Sequence, residues 1–195
     1  MKYALAMFYD RRCYAMRKFL GLAFLAFVVL ASTVGSTFAN PYPATLDNGN
    51  LVLVDGGQGV GRYADRSSVV VQQYAPPNYQ IAINVVTVFF SDDYWSRNRT
   101  YVGGPYRIES SRTLFFRYNW TRKSISYESS GRWLDWDVNR DHSHADGDPL
   151  IPYTAEVAFV SSYNMRFFGS KMGYSPVLRK EMRVIDESLY RSLGL

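Results

Sequence analysis

The sequence predicts an α+β fold, in which an antiparallel meander of β-strands carries two C-terminal α-helices on one face. β-Branched and aromatic residues, often alternating with polar ones and separated by short turns, fill most of residues 51–138, as expected of strands. After residue 154 the apolar residues recur every three or four positions, as expected of helices. Strands followed by helices along one chain are typical of the α+β class.

The first 39 residues have the pattern of a secretory signal peptide. Arg17 and Lys18 precede an apolar stretch of 13 residues, and small residues then lead to Ala39. This stretch is shorter than the roughly 18 residues expected of a membrane-spanning helix. The sequence therefore predicts export to the periplasm, the cell surface or the medium, with cleavage after Ala39. Met16 is an alternative start, and an uncleaved leader would attach the protein to a membrane.

The basic character of the chain belongs mostly to this leader. The whole chain carries a net charge of +5, and residues 1–39 hold five basic and one acidic residue, so residues 40–195 carry only +1. A charge this small gives no electrostatic basis for binding nucleic acid. The only cysteine of the sequence, Cys13, also lies in the leader, so the exported part would be free of cysteine. Export without disulfides favours a bacterial protein.

The glycine-rich stretch at residues 56–61 raises the question of a phosphate-binding loop. Counted from Gly57, the last glycine of a dinucleotide-binding motif would fall at position 62, which is Arg62. The next residues are rich in valine and serine and predict a strand, so no helix N-terminus would face a phosphate. We interpret the stretch as a turn or bulge that needs positive φ. It would end a loose entry segment, residues 40–60, before a single α+β domain at residues 61–195.

Residues 79–90 form the clearest strand. Both of its faces are apolar, so it should be central in the sheet and covered on both sides. The two prolines at positions 76 and 77 predict a turn before it. Three shorter strands, at residues 113–120, 123–129 and 131–138, follow as a meander with hairpin turns between them.

Two helices complete the predicted fold. Residues 154–168 have amphipathic spacing, with Gly169 as the end of the helix, and Phe159 and Tyr163 should pack on the sheet. A second helix is predicted to begin at Ser175, with a proline at its first position. Its apolar stripe would consist of Leu178, Met182, Ile185 and Leu189.

The segment at residues 91–110 is long for a connection between strands, and such loops are often functional. It contains aromatic and arginine side chains, which are favoured anchors of recognition surfaces. We therefore predict that it binds a protein, peptide or glycan of unknown identity. The alternative is that Trp95 and Tyr101 pack back on the core and that residues 106–110 form an edge strand. The candidate binding residues are Tyr94, Trp95, Arg97, Arg99, Tyr101 and Tyr106.

The segment at residues 137–148 contains both histidines of the chain and several aspartates. Its spacing partly matches an EF-hand calcium loop, although a histidine replaces the turn glycine and an aspartate replaces the last glutamate. Its histidines and aspartates would also suit zinc. The prediction is a solvated loop without a cofactor, and the alternatives are calcium and then zinc. The candidate ligands are Asp137, Asn139, Asp141, His142, His144, Asp146 and Asp148.

The sequence lacks the nucleophile motif of serine hydrolases, so we predict a protein that is not an enzyme. A metal-dependent enzyme centred on residues 137–148 is the alternative. The export signal, the pattern Tyr63-x-Asp65-x-x-Ser68 before a strand, the long central strand, the meander and the C-terminal helix resemble small exported bacterial proteins of the surface-adhesin protein E type. This resemblance covers about residues 60–170. It implies an envelope or surface protein that binds host or matrix components.

Overall fold

The computed structural model describes residues 42–90, 104–137, 149–175 and 179–195. The chain divides after Ala39, and all of the described residues belong to the unit that follows, Asn40–Leu195. Within the described residues of this unit, a sheet of seven strands, a sheet of two strands and two α-helices form the predicted α+β fold. No helix in the described ranges combines the length and the apolar character needed to cross a membrane.

The strands of the large sheet lie side by side in sequence order, and each pairs antiparallel with the next. The predicted meander is therefore confirmed. Their bounds are Thr45–Leu46 (β1), Leu51–Gly57 (β2), Val60–Ala75 (β3), Asn78–Phe90 (β4), Tyr106–Asn119 (β5), Ser124–Ser129 (β6) and Arg132–Trp136 (β7).

Strand β4 is apolar on both faces because two separate cores cover it. Ile81 and Ile83 belong to the main core, which lies under the first helix. Val88 and Phe90 point to the opposite face and belong to a smaller core that includes Tyr42. The prediction that β4 is central and covered on both sides is confirmed. We call the side of the sheet that carries Ile81 and Ile83 the helix face, and the opposite side the open face.

Residues 45–57, which we expected to be a loose entry segment, form the first two strands and a 3₁₀ turn at Asp47–Gly49. The alternation in β2 explains the difference: Val52 and Val54 enter the main core, whereas Leu51 enters the smaller one. The apolar residues of this short segment are thus divided between two faces of the sheet.

The glycine-rich stretch is a hairpin turn, as predicted. Gln58 and Gly59 both have positive φ, at 55° and 81°, between the paired ends of β2 and β3. The flanking glycines have a packing role, because a Cβ on Gly56 would lie 2.6 Å from the ring of Tyr42. A Cβ on Gly61 would lie 2.5 Å from the ring of Tyr63.

The first helix, α1, runs over Leu150–Tyr163 and therefore begins and ends earlier than the predicted range. Asn164 ends it in the left-handed conformation, so the prediction that Gly169 ends the helix is wrong. The helix is also not amphipathic, because residues 152–160 are all buried. The contacts predicted for Phe159 and Tyr163 are confirmed: their ring centroids lie 5.4 and 5.3 Å from that of Tyr79 in β4.

The second helix predicted from Ser175 is wrong. The hairpin strands β8, Met172–Ser175, and β9, Lys180–Arg183, occupy this region and pair antiparallel. A short helix, α2, follows at Glu187–Leu193. Ile185 and Leu189 of the predicted stripe are buried, so the apolar spacing marked core residues that belong to two different local conformations.

Candidate functional site

A polar cleft on the open face is the candidate functional site. It lies where the β3–β4 and β5–β6 turns meet, because antiparallel strands in sequence order bring alternate turns to the same end of a sheet. Its volume is about 430 Å³. The lining residues are Gln73, Asn78, Tyr79, Arg117, Tyr118, Asn119, Arg122, Ser124, Ile125, Ser126, Asp135 and Trp136.

Strand register aligns the polar side chains of this cleft. Gln80 stands opposite Arg117, Arg117 opposite Ser126, and Ser126 opposite Asp135, so one row crosses β4 to β7. Neighbouring residues of a strand point to opposite faces. The row next to it, Tyr79, Tyr118, Ile125 and Trp136, therefore belongs to the main core.

Hydrogen bonds hold several of these side chains in place. Ser126 Oγ donates to Asp135 Oδ1 at 2.6 Å, and Asn119 Nδ2 donates to Asn78 Oδ1 at 2.8 Å. An amide group offers two donors and two acceptor lone pairs, so Asn78 and Asn119 keep capacity beyond their mutual bond. Side chains that are already ordered lose less conformational entropy when a ligand binds.

Two arginines give the lining of the cleft a net positive charge. The Arg117 guanidinium lies 3.8 Å from the centre of the Trp133 ring, a cation–π contact that fixes its position on the open face. Arg122 lies in the β5–β6 turn, which its backbone N–H stabilises by donating to Asn119 Oδ1 at 2.9 Å. Asp135 is the one carboxylate among the described lining residues, so their net charge is +1.

A second polar cluster lies in the main core rather than in the cleft. The Glu156 carboxylate is fully buried and accepts hydrogen bonds from Phe167 N at 2.8 Å, Phe168 N at 2.9 Å and Tyr190 Oη at 2.8 Å. Burial raises the pKa of Glu156 to about 7, although these hydrogen bonds and the nearby Lys123 favour the charged form. Glu156 thereby holds the loop after α1 against α2, a structural role that needs no ligand.

The predicted binding loop is described only at its end. Tyr94, Trp95, Arg97, Arg99 and Tyr101 lie outside the described residues. Tyr106 begins β5, pairs with Phe90, and packs against the smaller core with ring centroids 6.5 Å apart. It is therefore a partly buried packing residue and lies outside the polar cleft.

The predicted metal-binding segment is also largely outside the described residues. Asn139, Asp141, His142, His144, Asp146 and Asp148 are not among them, and Asp137 is exposed just after β7. Across the described ranges, no group of three or more histidine, cysteine, aspartate or glutamate side chains is placed to hold a metal ion.

Neither the cleft nor Glu156 was identified from the sequence. The sequence shows that polar residues alternate with apolar ones in the strands. It does not show which polar residues lie opposite one another, because that depends on the register between strands. A single glutamate in the apolar run around residue 156 was the available signal for the buried carboxylate. No protein-family model matches this chain, and comparison with curated proteins and with solved structures returns no match either.

Proposed function

We propose that this protein is an exported, non-catalytic binding module of the bacterial envelope or surface, and that its polar cleft binds a glycan. The row of polar side chains across β4 to β7 carries this proposal. A saccharide presents many hydroxyl groups, each of which can donate and accept a hydrogen bond. Amide, hydroxyl, guanidinium and carboxylate groups on paired strands offer complementary donors and acceptors at fixed spacings.

The composition of the cleft favours a glycan over a protein or peptide. Protein interfaces are usually centred on buried aromatic or aliphatic anchors. Here the aromatic residues Tyr79, Tyr118 and Trp136 belong to the main core. The exposed side chains of the cleft are mostly polar. Their net positive charge favours a saccharide with an acidic substituent.

A binding role also fits the acid–base chemistry of the described lining better than hydrolysis does. Most glycoside hydrolases use two carboxyl groups on opposite sides of the bond that is cleaved. The described lining residues include one, Asp135, and it accepts a hydrogen bond from Ser126. This supports glycan recognition without cleavage.

The leader and the resemblance support the proposed location. The tripartite pattern of residues 1–39 favours export, and the resemblance to proteins of the surface-adhesin protein E type favours the envelope or the cell surface. N-terminal sequencing of the protein recovered from the periplasm or the medium should begin at Asn40. Recovery of the intact leader in a membrane fraction would contradict cleavage.

The glycan proposal is tested by substituting Arg122. The protein, expressed from its full sequence, is titrated against a panel of neutral and uronate-containing oligosaccharides. We expect Arg122→Ala to weaken binding of an acidic oligosaccharide about tenfold, because hydrogen bonds to charged groups contribute about 1.5–3 kcal/mol.

Arg112→Ala is the matched control. Arg112 is an exposed arginine of β5 outside the cleft lining, so its removal should leave the affinity unchanged. The proposal is wrong if no oligosaccharide binds, or if both variants weaken binding equally. Binding of a peptide at the cleft, in place of any saccharide, would contradict the assigned ligand class.

A further inference from the structure

The second half of β3 has a strand on one side only. Residues 60–65 of β3 pair with β2 on one side and with β4 on the other. Residues 70–75 pair with β4, and no other described strand lies along their second side. We call residues 70–75 the β3 edge. In an antiparallel ladder a strand directs alternate backbone groups to its two neighbours. The β3 edge therefore presents backbone donors and acceptors suited to one more strand.

This edge is exposed, uncharged and rich in apolar residues. Val70, Val71 and Tyr74 are 55%, 42% and 66% exposed. Residues 67–90 include no aspartate, glutamate, lysine or arginine. An exposed edge strand of this kind readily pairs with another chain, and most proteins protect such edges with charges, prolines or bulges. The bulge between Val71 and Gln73 is the one such feature within the β3 edge.

The same sheet protects a comparable edge differently. Residues 106–115 of β5 also pair with β4 and with no other described strand. That stretch carries Arg107, Glu109 and Arg112, all exposed. Charges on one edge and none on the other make the β3 edge the better candidate for strand pairing.

On the helix face, a group of tyrosine rings lies next to this edge. The ring of Tyr74 lies 5.6 Å from that of Tyr79 and 5.9 Å from that of Tyr163, measured between centroids. Tyr163 Oη is buried and has no hydrogen-bond partner among the described residues. A further strand at this position would extend the main core and bring polar backbone groups near that hydroxyl.

We propose that the β3 edge pairs antiparallel with the β3 edge of a second copy of this chain, joining two sheets across a twofold axis. In a twofold interface each residue of the edge lies opposite another residue of the same edge. The edge has no charge, so this pairing places no like charges opposite each other. Tyr74 and Tyr163 of the two copies would then belong to one continuous apolar surface on the helix faces of the joined sheets.

The test introduces a lysine at each of the two open edges. Val70→Lys introduces a charge into an edge that otherwise has none, and because lysine on an edge strand disfavours pairing with another chain, we expect it to raise the dimer dissociation constant at least about tenfold, measured by sedimentation equilibrium. Ile108→Lys is the matched control, because Ile108 is 52% exposed in the corresponding stretch of β5. That variant should dimerise as the unsubstituted protein does.

Hydrogen exchange locates the contact, and circular dichroism checks that the variant is folded. Backbone amides of residues 70–75 should gain protection as protein concentration rises, and the Val70→Lys variant should keep the circular dichroism spectrum of the parent. A parent protein that remains monomeric up to about 1 mM would overturn the proposal. So would equal loss of dimer in both lysine variants, or concentration-dependent protection confined to β5.

Discussion

At the scale of single residues, Glu156 shows how a buried carboxyl group can be accommodated in an apolar helix. The loop after α1 leaves the amides of Phe167 and Phe168 inside the core, and buried donors without partners cost stability. One carboxylate accepts from both amides and from Tyr190. Hydrogen bonds to Glu156 therefore replace those to water, which the amides of Phe167 and Phe168 lose on folding.

The raised pKa of Glu156 predicts a pH-dependent stability. Its ordinary value is 4.5 and its folded value is about 7, so the folded state binds the proton more tightly than the unfolded state. The resulting stabilisation is complete below pH 4.5 and is lost as the pH rises to about 7. The loss should approach about 3 kcal/mol. Glu156→Gln cannot titrate, so its free energy of unfolding should vary less between pH 5 and 7, as measured by urea denaturation.

Glu109→Gln provides the comparison for this measurement. Glu109 lies on β5 with an exposed side chain, so its replacement should leave the pH profile of the parent in place. If Glu156→Gln and the parent lose stability in parallel between pH 5 and 7, the buried carboxyl is not the group that titrates there.

At the scale of elements, the β2–β3 hairpin depends on glycines for close packing. Gly61→Ala would place a methyl group 2.5 Å from the ring of Tyr63, which is fully buried. We expect a loss of about 1–3 kcal/mol, as is typical of overpacking. Gly57→Ala is the control, because nothing lies within 4 Å of the added Cβ. Thermal unfolding of both variants checks this, and equal melting temperatures would contradict the packing role.

Elements with local signals could be predicted from the sequence, and those that depend on distant contacts could not. The run of mostly apolar, β-branched and aromatic residues in β4 and the positive-φ turn at Gln58 and Gly59 each predict a local conformation without any distant contact. Ile185 and Leu189 are buried, but their spacing does not distinguish one continuous helix from a strand, a turn and a short helix. The cleft was missed because its row is set by register between four strands, which no local pattern specifies.

At the scale of the whole described unit, one sheet carries two cores on opposite faces. The main core lies under α1, and the smaller core forms around Tyr42 at the other end of the sheet. This arrangement leaves the remaining part of the open face to polar side chains, which is where the cleft lies. The division explains why β4 is apolar on both sides whereas β6 and β7 carry Ser126 and Asp135.

The main core should dominate the stability of this unit, and Phe159 is its centre. Its ring is fully buried and lies 5.0–5.4 Å, between centroids, from those of Tyr79, Tyr118, Trp120 and Phe167. Phe159→Ala should cost about 3–5 kcal/mol out of a domain stability of about 5–15 kcal/mol. Phe89→Ala, at a side chain 42% exposed on the same sheet, should cost about 1 kcal/mol or less. Urea unfolding of both variants measures the difference, and similar midpoints would mean that the aromatic cluster under α1 does not determine stability.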